Sequence, residues 1–571
     1  MLWPLTQLVR RSGISYNHLN SKRKEKIYMK SIKRVFIVNG KPFFPIGGQS
    51  SSSSAYNNSE SAAAFKAVQL LHGNTLITDV YWEHIEPEEG KFDFTMVDDL
   101  IASALLYGVK LILLWFATWK NANMDYTPDW VKINPKKFKR VISPTGTDLW
   151  SLSPYCKANF NADKKAYIAL CKYLKTKDTK HTVIGIQVEN EPGIFGSDRD
   201  YGPEAQQIFD RPVPAKVVDW LKRNGKGPVY DIWQKAGGKE SGTWPELFGW
   251  DAGELVSAWS IGSYIDGVAA AGKAVYDIPM YQNVWLMEVR RLDSRWMTAG
   301  ETYPSGGAVT KVLDFYKSFT PHLDLIAPDI KYYNTRKFEA VCAAYSRDDN
   351  PLFFPETPPS LGLFRAVADY NLQGYSRMFF LESIVAEDGS VRPEAKLGAD
   401  TVRSVAAAIP LILKYQGTGK IHAVVQEDDI DAQLFDMDGY YGSAVFGEGH
   451  VPHIPKDWRH FTPPPDEQTG GATGPDRGRG LVIQAGKNEF YLVGASYRLY
   501  LRPKMAPEKR LDATFVTDHW QSKLAHQLKV DEGHFDKNGK FTVDRRRNGD
   551  VISGGVWVEA DCGVIRVIMC D

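Results

Sequence analysis

The sequence predicts an α/β fold, a (β/α)₈ TIM barrel followed by a β-sandwich-like accessory domain, on three observations. From about residue 34 to about 410, short apolar runs alternate with amphipathic stretches. Eight such runs are rich in Ile, Leu, Val or Phe with little polar alternation, as parallel strands buried on both faces are. No glycine-rich phosphate loop follows the first run, so the competing open doubly wound sheet lacks its usual mark.

The runs, in order, are FFPIGG (43–48), NTLITDVYW (74–82), VKLILLWFA (109–117), VIGIQVENE (183–191), IPMYQNVWL (278–286), LDLIAPDI (323–330), PLFFPE (351–356) and GYSRMFFLE (374–382). Between them, SAAAFKAVQLLH (61–72) and MVDDLIASALLYG (96–108) place apolar residues at helical spacing. Residues 196–255, rich in Tyr, Trp, Gly and Pro, read as an insertion after the fourth strand, expected over the C-terminal face where barrels bind substrates. Residues 1–33 form an N-terminal extension, 34–417 the catalytic barrel and 418–571 the accessory domain. Within the last, 447–480 is dense in Pro and Gly and reads as a long loop. The segments GLVIQAGKNEFYLVGASYRLYLRP and GVWVEADCGVIRVIMC alternate apolar and polar residues as half-buried strands do.

Charge points to no bulk partner: 69 Lys+Arg against 68 Asp+Glu make no field that recruits nucleic acid or an anionic membrane. No run approaches a membrane span, and a homo-oligomer is left open. The five cysteines, Cys156, Cys171, Cys342, Cys562 and Cys570, have neither disulfide-framework nor metal-ligand spacing, so no metal and no cofactor is expected. One sequon, Asn57-Asn58-Ser59, and an apolar N-terminal stretch soon broken by Arg10-Arg11 lead to the expectation of a cytoplasmic protein, with secretion left open. Met29 is an alternative start, because MKSIKRVFIVNGKPFFPIGG already reads as the opening of a domain. The 16 Trp and 27 Tyr suit the apolar faces of sugars and suit a large core equally well.

Chemistry enters with two glutamates. Glu191 ends the fourth run and Glu356 the seventh, and residues at the C-terminal ends of different barrel strands converge on one site. Two carboxyl groups flanking an anomeric carbon are what glycoside hydrolysis needs; in retaining enzymes they stand about 5–5.5 Å apart, one as acid/base and one as nucleophile. Glu189 is a rival, since strand alternation directs it to the same side as Glu191. Rim positions after the other strands hold Gln49, Tyr81, Glu83, Trp115, Lys120, Asn121 and Tyr332 as candidates for substrate contact, each also explained by packing or loop stability. Glu86 and Glu89 read as part of a turn that orders the rim.

The segments GKPFFPIGGQSSSSSA, GNTLITDVYWEHIEPEEGKFDF, LLWFATWKNAN, GIQVENEPG, DLIAPDI and PLFFPE, in that order over residues 34–410, resemble glycoside hydrolase family 35, the β-galactosidases. LVIQAGKNEFYLVG is similar to the accessory domain of the β-rich branch of that family. The resemblance implies Glu191 as acid/base, Glu356 as nucleophile, Asn190 on the sugar 2-hydroxyl and Tyr332 near the nucleophile. It also implies a retaining exo-β-galactosidase acting on a terminal non-reducing galactosyl residue of an oligosaccharide or glycoside. Lys331 after the strand-six Asp-Ile and Arg377 in the irregular eighth run depart from the family pattern, and an extra cation could favour an acidic sugar. The alternatives are the same mechanism on another β-glycoside (glucuronide, glucoside or glucosaminide) and a non-catalytic carbohydrate-binding protein.

Overall fold

A computed structural model describes residues 32–287, 297–331, 335–378, 380–427, 432–446, 477–504, 527–549, 552, 555–560 and 562–570. The extension through residue 31 with Met29, most of the Pro/Gly-rich loop (447–476) and Tyr332 lie outside these residues.

All eight predicted runs contain strands, and the barrel fold is borne out. They are β1 (Ile46–Gln49), β2 (Thr75–Tyr81), β3 (Lys110–Lys120), β4 (Val183–Asn190), β5 (Met280–Val284), β6 (Leu325–Pro328), β7 (Phe354–Thr357) and β8 (Tyr375–Arg377). Parallel pairing runs β6-β5-β4-β3-β2-β1-β8-β7, and β6 lies against β7, so the sheet is nearly closed. The eighth run is extended over three residues only and then turns into a 3₁₀ segment, Leu381–Ile384.

The lack of polar alternation has a direct structural counterpart in β3. Leu111, Leu113, Trp115 and Ala117 face the helices, whereas Ile112, Leu114 and Phe116 fill the barrel interior with Ile77, Tyr281, Leu325 and Phe353. Both faces are dry, which is why neither is polar. Fully burying each such side chain contributes about 1.5–3 kcal/mol. Phe36, packed on Phe353 at a ring-centroid distance of 5.1 Å, adds to this interior.

The helix α1 (Asn58–Leu70) starts at Asn57, whose Oδ1 accepts from the Glu60 backbone N–H at 2.8 Å. The sequon asparagine is thus engaged as an N-cap. Helix α2 (Thr95–Tyr107) ends at Gly108 with φ +70°, the left-handed C-terminal position that glycine occupies without strain. Helix α3 (Lys157–Lys177) follows β3 and α4 (Ala252–Lys273) precedes β5.

The insertion after the fourth strand is largely helical. It forms four helices, and Trp220 packs on Phe315 and Phe319 of the outer helix Leu313–Phe319, while Trp244 packs near Trp259 of α4. Trp220 and Trp244 are thus buried against apolar neighbours, whereas Trp250 of the same insertion is exposed.

The accessory domain is an antiparallel sandwich, as predicted. Its strands are β9 (Ile421–Val425), β10 (Ala432–Met437), β11 (Tyr440–Val445), β12 (Arg479–Gly486), β13 (Glu489–Ala495), β14 (Tyr497–Pro503), β15 (Gln527–Phe535), β16 (Phe541–Arg547), β17 (Val556–Val558) and β18 (Val564–Met569). Six pair as β9-β12-β13-β18-β15-β16 and four as β10-β11-β14-β17. Val482, Phe490 and Leu492 of the larger sheet join the core between the sheets, while Leu481, Ile483, Tyr491 and Val493 join the barrel's outer core. Period-two alternation therefore serves two apolar contacts, one inside the sandwich and one with the barrel.

Candidate active site

Strand β4 ends at Asn190 and Glu191 follows it directly; the backbone leaves the extended region here, with φ +65° at Glu189 and +44° at Glu191. Non-glycine residues held there cost about 1–3 kcal/mol each, a strain that clusters at functional sites. The kink separates the two glutamates that alternation would put on one side. Glu189 turns toward α3, where it meets Asp163 and accepts from the Trp119 backbone N–H at 2.7 Å. Its burial and the charge of Asp163 push the Glu189 carboxyl well above its ordinary range. The expectation of a shared side is thereby corrected, and the reason is the positive φ at Glu189. Because a neutral acid is well mimicked by an amide, Glu189→Gln is expected to keep kcat within about 10-fold of wild type, whereas removing a true acid/base costs about 10²–10⁴-fold. Steady-state kinetics of Glu189→Gln check this; a loss as deep as that of Glu191→Ala would return Glu189 to the candidates.

Glu191 turns toward Glu356. Its backbone N–H donates to Asn283 Oδ1 at 2.8 Å, and Asn283 Nδ2 donates to Asp329 Oδ2 at 2.8 Å, so β5 ties the end of β4 to the end of β6. Glu356, on β7, is 2% exposed and Glu191 1%. An oxygen from each of Glu191, Asp329 and Glu356 lies within 4.8 Å of the others. Such hard oxygens could hold a cation, and Lys331 supplies a positive charge there. Its Nζ donates to Glu191 Oε1 at 2.9 Å and stands 3.2 Å from Glu356 Oε2.

Burial pushes the Glu356 carboxyl up, but Lys331 and Lys120 outweigh it, with the buried Gln49 amide adding to their effect, and hold it below its ordinary value. A carboxylate so held is suited to attack as an anion. With its nitrogen directed at Glu356 Oε1 (3.2 Å) and its oxygen at Lys120 Nζ (3.3 Å), the Asn190 amide satisfies both neighbours. Asn121, at φ +52°, brings its amide within 2.9 Å of that of Asn190, and its backbone N–H donates to the Asn190 carbonyl at 3.1 Å.

The structure thus gathers Glu191, Glu356, Asn190, Lys120, Asn121 and Gln49. Three other predicted residues are used elsewhere. Trp115 faces outward from β3, its Nε1 donating to Asp163 of α3 at 2.9 Å. The Tyr81 hydroxyl donates to the Ser52 carbonyl at 3.0 Å, and its ring stacks on Tyr56 and Tyr126. Glu83 pairs with Lys132 at 3.1 Å and accepts from the Tyr56 hydroxyl. Asp329 and Asn283 were not among the predicted site residues, and Lys331 was singled out only as a departure from the family pattern. The signal of the two missed residues was present as an Asn inside one apolar run and an Asp near the end of another.

Residues 29–229 match the family model described as beta-galactosidase, that of glycoside hydrolase family 42, and residues 403–559 match a domain of unknown function, DUF5597. The mouse beta-galactosidase-1-like protein 3 is 33% identical over 142 residues, 24% of this chain, and the chain spans 20% of that protein's length. Solved structures with similarity include the catalytic domain of beta-amylase from Paenibacillus polymyxa, at 12% identity and TM-score 0.47, covering 64% of this chain and 98% of that one. A GH42 beta-galactosidase from G. stearothermophilus is 15% identical with TM-score 0.46, covering 66% of this chain and 59% of that one. The sequence motifs resemble family 35 and the matched model is of family 42; both are β-galactosidase families.

Proposed function

We propose that this chain is a retaining exo-β-galactosidase that releases terminal non-reducing β-D-galactose by double displacement. The observation that carries this reading is the pair of buried strand-end glutamates whose oxygens lie within 4.8 Å of each other. So close an approach of one oxygen from each, both in reach of the same Lys331 ammonium, is compatible with the about 5–5.5 Å between carboxyl groups in retaining enzymes. The β-galactosidase family model supports the sugar assignment.

In the first half-reaction Glu191 gives a proton to the glycosidic oxygen while the Glu356 carboxylate bonds to the anomeric carbon and the leaving alcohol departs. In the second, the Glu191 carboxylate takes a proton from water, and the hydroxide so formed displaces Glu356 from the sugar. Asn190, whose amide lies beside Glu356, takes the role of binding the 2-hydroxyl, where a hydrogen bond strengthens as charge develops. Two inversions restore the starting configuration. Proton NMR of the first product formed from a nitrophenyl β-galactoside is expected to show the β-anomer before mutarotation. An α-anomer appearing first would overturn the mechanism. A panel of nitrophenyl β-glycosides tests the sugar: preference for the glucuronide, glucoside or glucosaminide overturns galactose alone, and no turnover of any member overturns the enzyme reading.

A further inference from the structure

The aglycone is joined to the galactosyl unit through the oxygen that Glu191 protonates, so it lies on the Glu191 side of the barrel mouth. Two aromatic rings stand there. Phe195 follows Glu191 by four residues, a reach of at most about 14 Å. Trp285 directly follows β5 and lies two residues, at most about 7 Å, beyond Asn283, whose Oδ1 accepts from the Glu191 backbone N–H at 2.8 Å. The two rings meet at a centroid distance of 5.6 Å and an interplanar angle of 30°. The pair is thus tied to Glu191 along both strands.

The backbone fixes both rings. Ile194 is fully buried, its N–H donating to the Ser305 carbonyl and its carbonyl accepting from the Ser305 N–H, both at 2.8 Å. The Gly196 N–H donates to the Gly300 carbonyl at 2.7 Å. Gly193 permits this pairing, since a Cβ there would lie 2.4 Å from Pro304 Cβ. Phe195 is therefore pinned on both sides, and it is 41% exposed. Trp285 sits between the buried Val284 and Leu286, with the Val284 carbonyl accepting from the Asp329 N–H at 3.2 Å, and is itself half-buried. Single exposed apolar side chains are ordinary, but two rings fixed in contact beside a polar cleft make a patch.

The edge of the indole adds a polar requirement. Other exposed aromatic residues are engaged within the protein: Trp150 Nε1 donates to Asp125 Oδ1 at 2.7 Å beneath the Arg140 guanidinium, and the Tyr56 hydroxyl donates to Glu83 while its ring stacks on Tyr81. The Trp285 Nε1–H has no acceptor among the described residues. An apolar face with a free N–H at its edge matches a ligand built the same way. A pyranose ring is such a ligand, because its C–H bonds make an apolar face and its hydroxyl groups surround the edge. A hydrocarbon chain would cover the rings and leave the N–H without an acceptor.

We propose that Phe195 and Trp285 form the platform for a pyranosyl aglycone, so that the substrate class is a β-galactosyl oligosaccharide rather than a galactoside of a lipid or a small alcohol. This rests on the galactosidase reading, in which Glu191 sets the side on which the aglycone lies. The platform touches no reacting atom. Its contact with the second sugar holds the glycosidic oxygen at Glu191 during the first displacement and ends when the aglycone departs.

The test compares substrates that differ only in the aglycone. They are the galactosyl-glucose disaccharides linked β-1,2, β-1,3, β-1,4 and β-1,6, octyl β-galactoside, and β-galactosyl fluoride, whose leaving group has no ring. For each, kcat/KM covers the steps through the first displacement, while the aglycone is still present. In Trp285→Ala and in Phe195→Ala, the ratio of kcat/KM for the fastest disaccharide to that for the fluoride is expected to fall at least about 10-fold. Trp285→Phe, which keeps a ring and removes the N–H, should give a smaller fall. Because the ratio is taken within one protein, any loss of folded enzyme cancels from it. A ratio equal to wild type in both alanine variants would overturn the platform. An equal fall for octyl galactoside would assign the rings to an apolar chain and overturn the sugar. The two levels separate in the wild-type protein. Turnover of the fluoride with no disaccharide cleaved faster than octyl galactoside overturns this inference alone, and no turnover of any galactoside overturns the galactosidase reading and this inference with it.

Discussion

Glu356→Gln is expected to lower kcat by roughly 10⁴- to 10⁶-fold, the scale on which loss of a covalent nucleophile is felt. The amide keeps the volume of the buried side chain on β7 but cannot attack the anomeric carbon. Lys331 retains Glu191 as a partner, so the fold should persist, and a thermal melt close to wild type checks that. A 2-fluoro-galactosyl inactivator should label the peptide that contains Glu356 in the wild-type protein. A label on another carboxylate, or near wild-type turnover of the variant, would reject the assignment. The nucleophile's charge also fixes a pH signature. Catalysis requires ionised Glu356, and the nearby cations hold its carboxyl below the ordinary value despite burial. The acid limb of kcat/KM should therefore fall below the about 4.3 of an unperturbed glutamate. Removing one cation must raise it, so Lys331→Met is expected to move the acid limb up, read from the pH profile on an activated substrate. An unmoved limb would show that Lys331 does not set the charge of Glu356.

Glu191→Ala is expected to cost about 10²–10⁴-fold on galactosides with alkyl leaving groups and far less on dinitrophenyl galactoside. The difference arises because only the poor leaving group needs full protonation in the first step. With the activated substrate the second step becomes limiting, since no base remains to deprotonate water. Azide, which needs no deprotonation, should then restore turnover and yield a galactosyl azide detectable by mass spectrometry. Equal losses on both substrates with no azide product would instead indicate misfolding or a different acid. Glu189 can be weighed in the same series: it lies against Asp163 and the Trp119 backbone, so its substitution should leave the leaving-group ratio untouched.

The barrel was legible because strands buried on two sides must be apolar on both, and helices between them must be apolar on one. That constraint is local, and runs such as VKLILLWFA display it without any knowledge of the partner strands. Glu191 and Glu356 were legible as candidates for a related reason: a carboxylate closing an apolar strand is costly to place there unless it has a task. Composition carried less. The tryptophans suited sugar faces and a large core equally well, and Trp220 and Trp244 pack on Phe315 and near Trp259, partners that the local sequence does not reveal.

What the sequence determined by itself is therefore the order of strands and helices, the sandwich that follows the barrel, and the two strand ends whose glutamates could meet. Only the tertiary structure decided which of Glu189 and Glu191 faces Glu356. Strand alternation is a rule for extended backbone, and the positive φ at Glu189 suspends it where it matters most. The tertiary structure likewise turned Trp115 outward to Asp163, spent the Tyr81 hydroxyl on Ser52, and assembled Asn283, Asp329 and Lys331 around Glu191 from two other strands. The physical reason is common to all of these. A side chain's direction follows from backbone angles, but its partners are groups from 29 to 140 residues away in the sequence, and those meet only when the barrel closes.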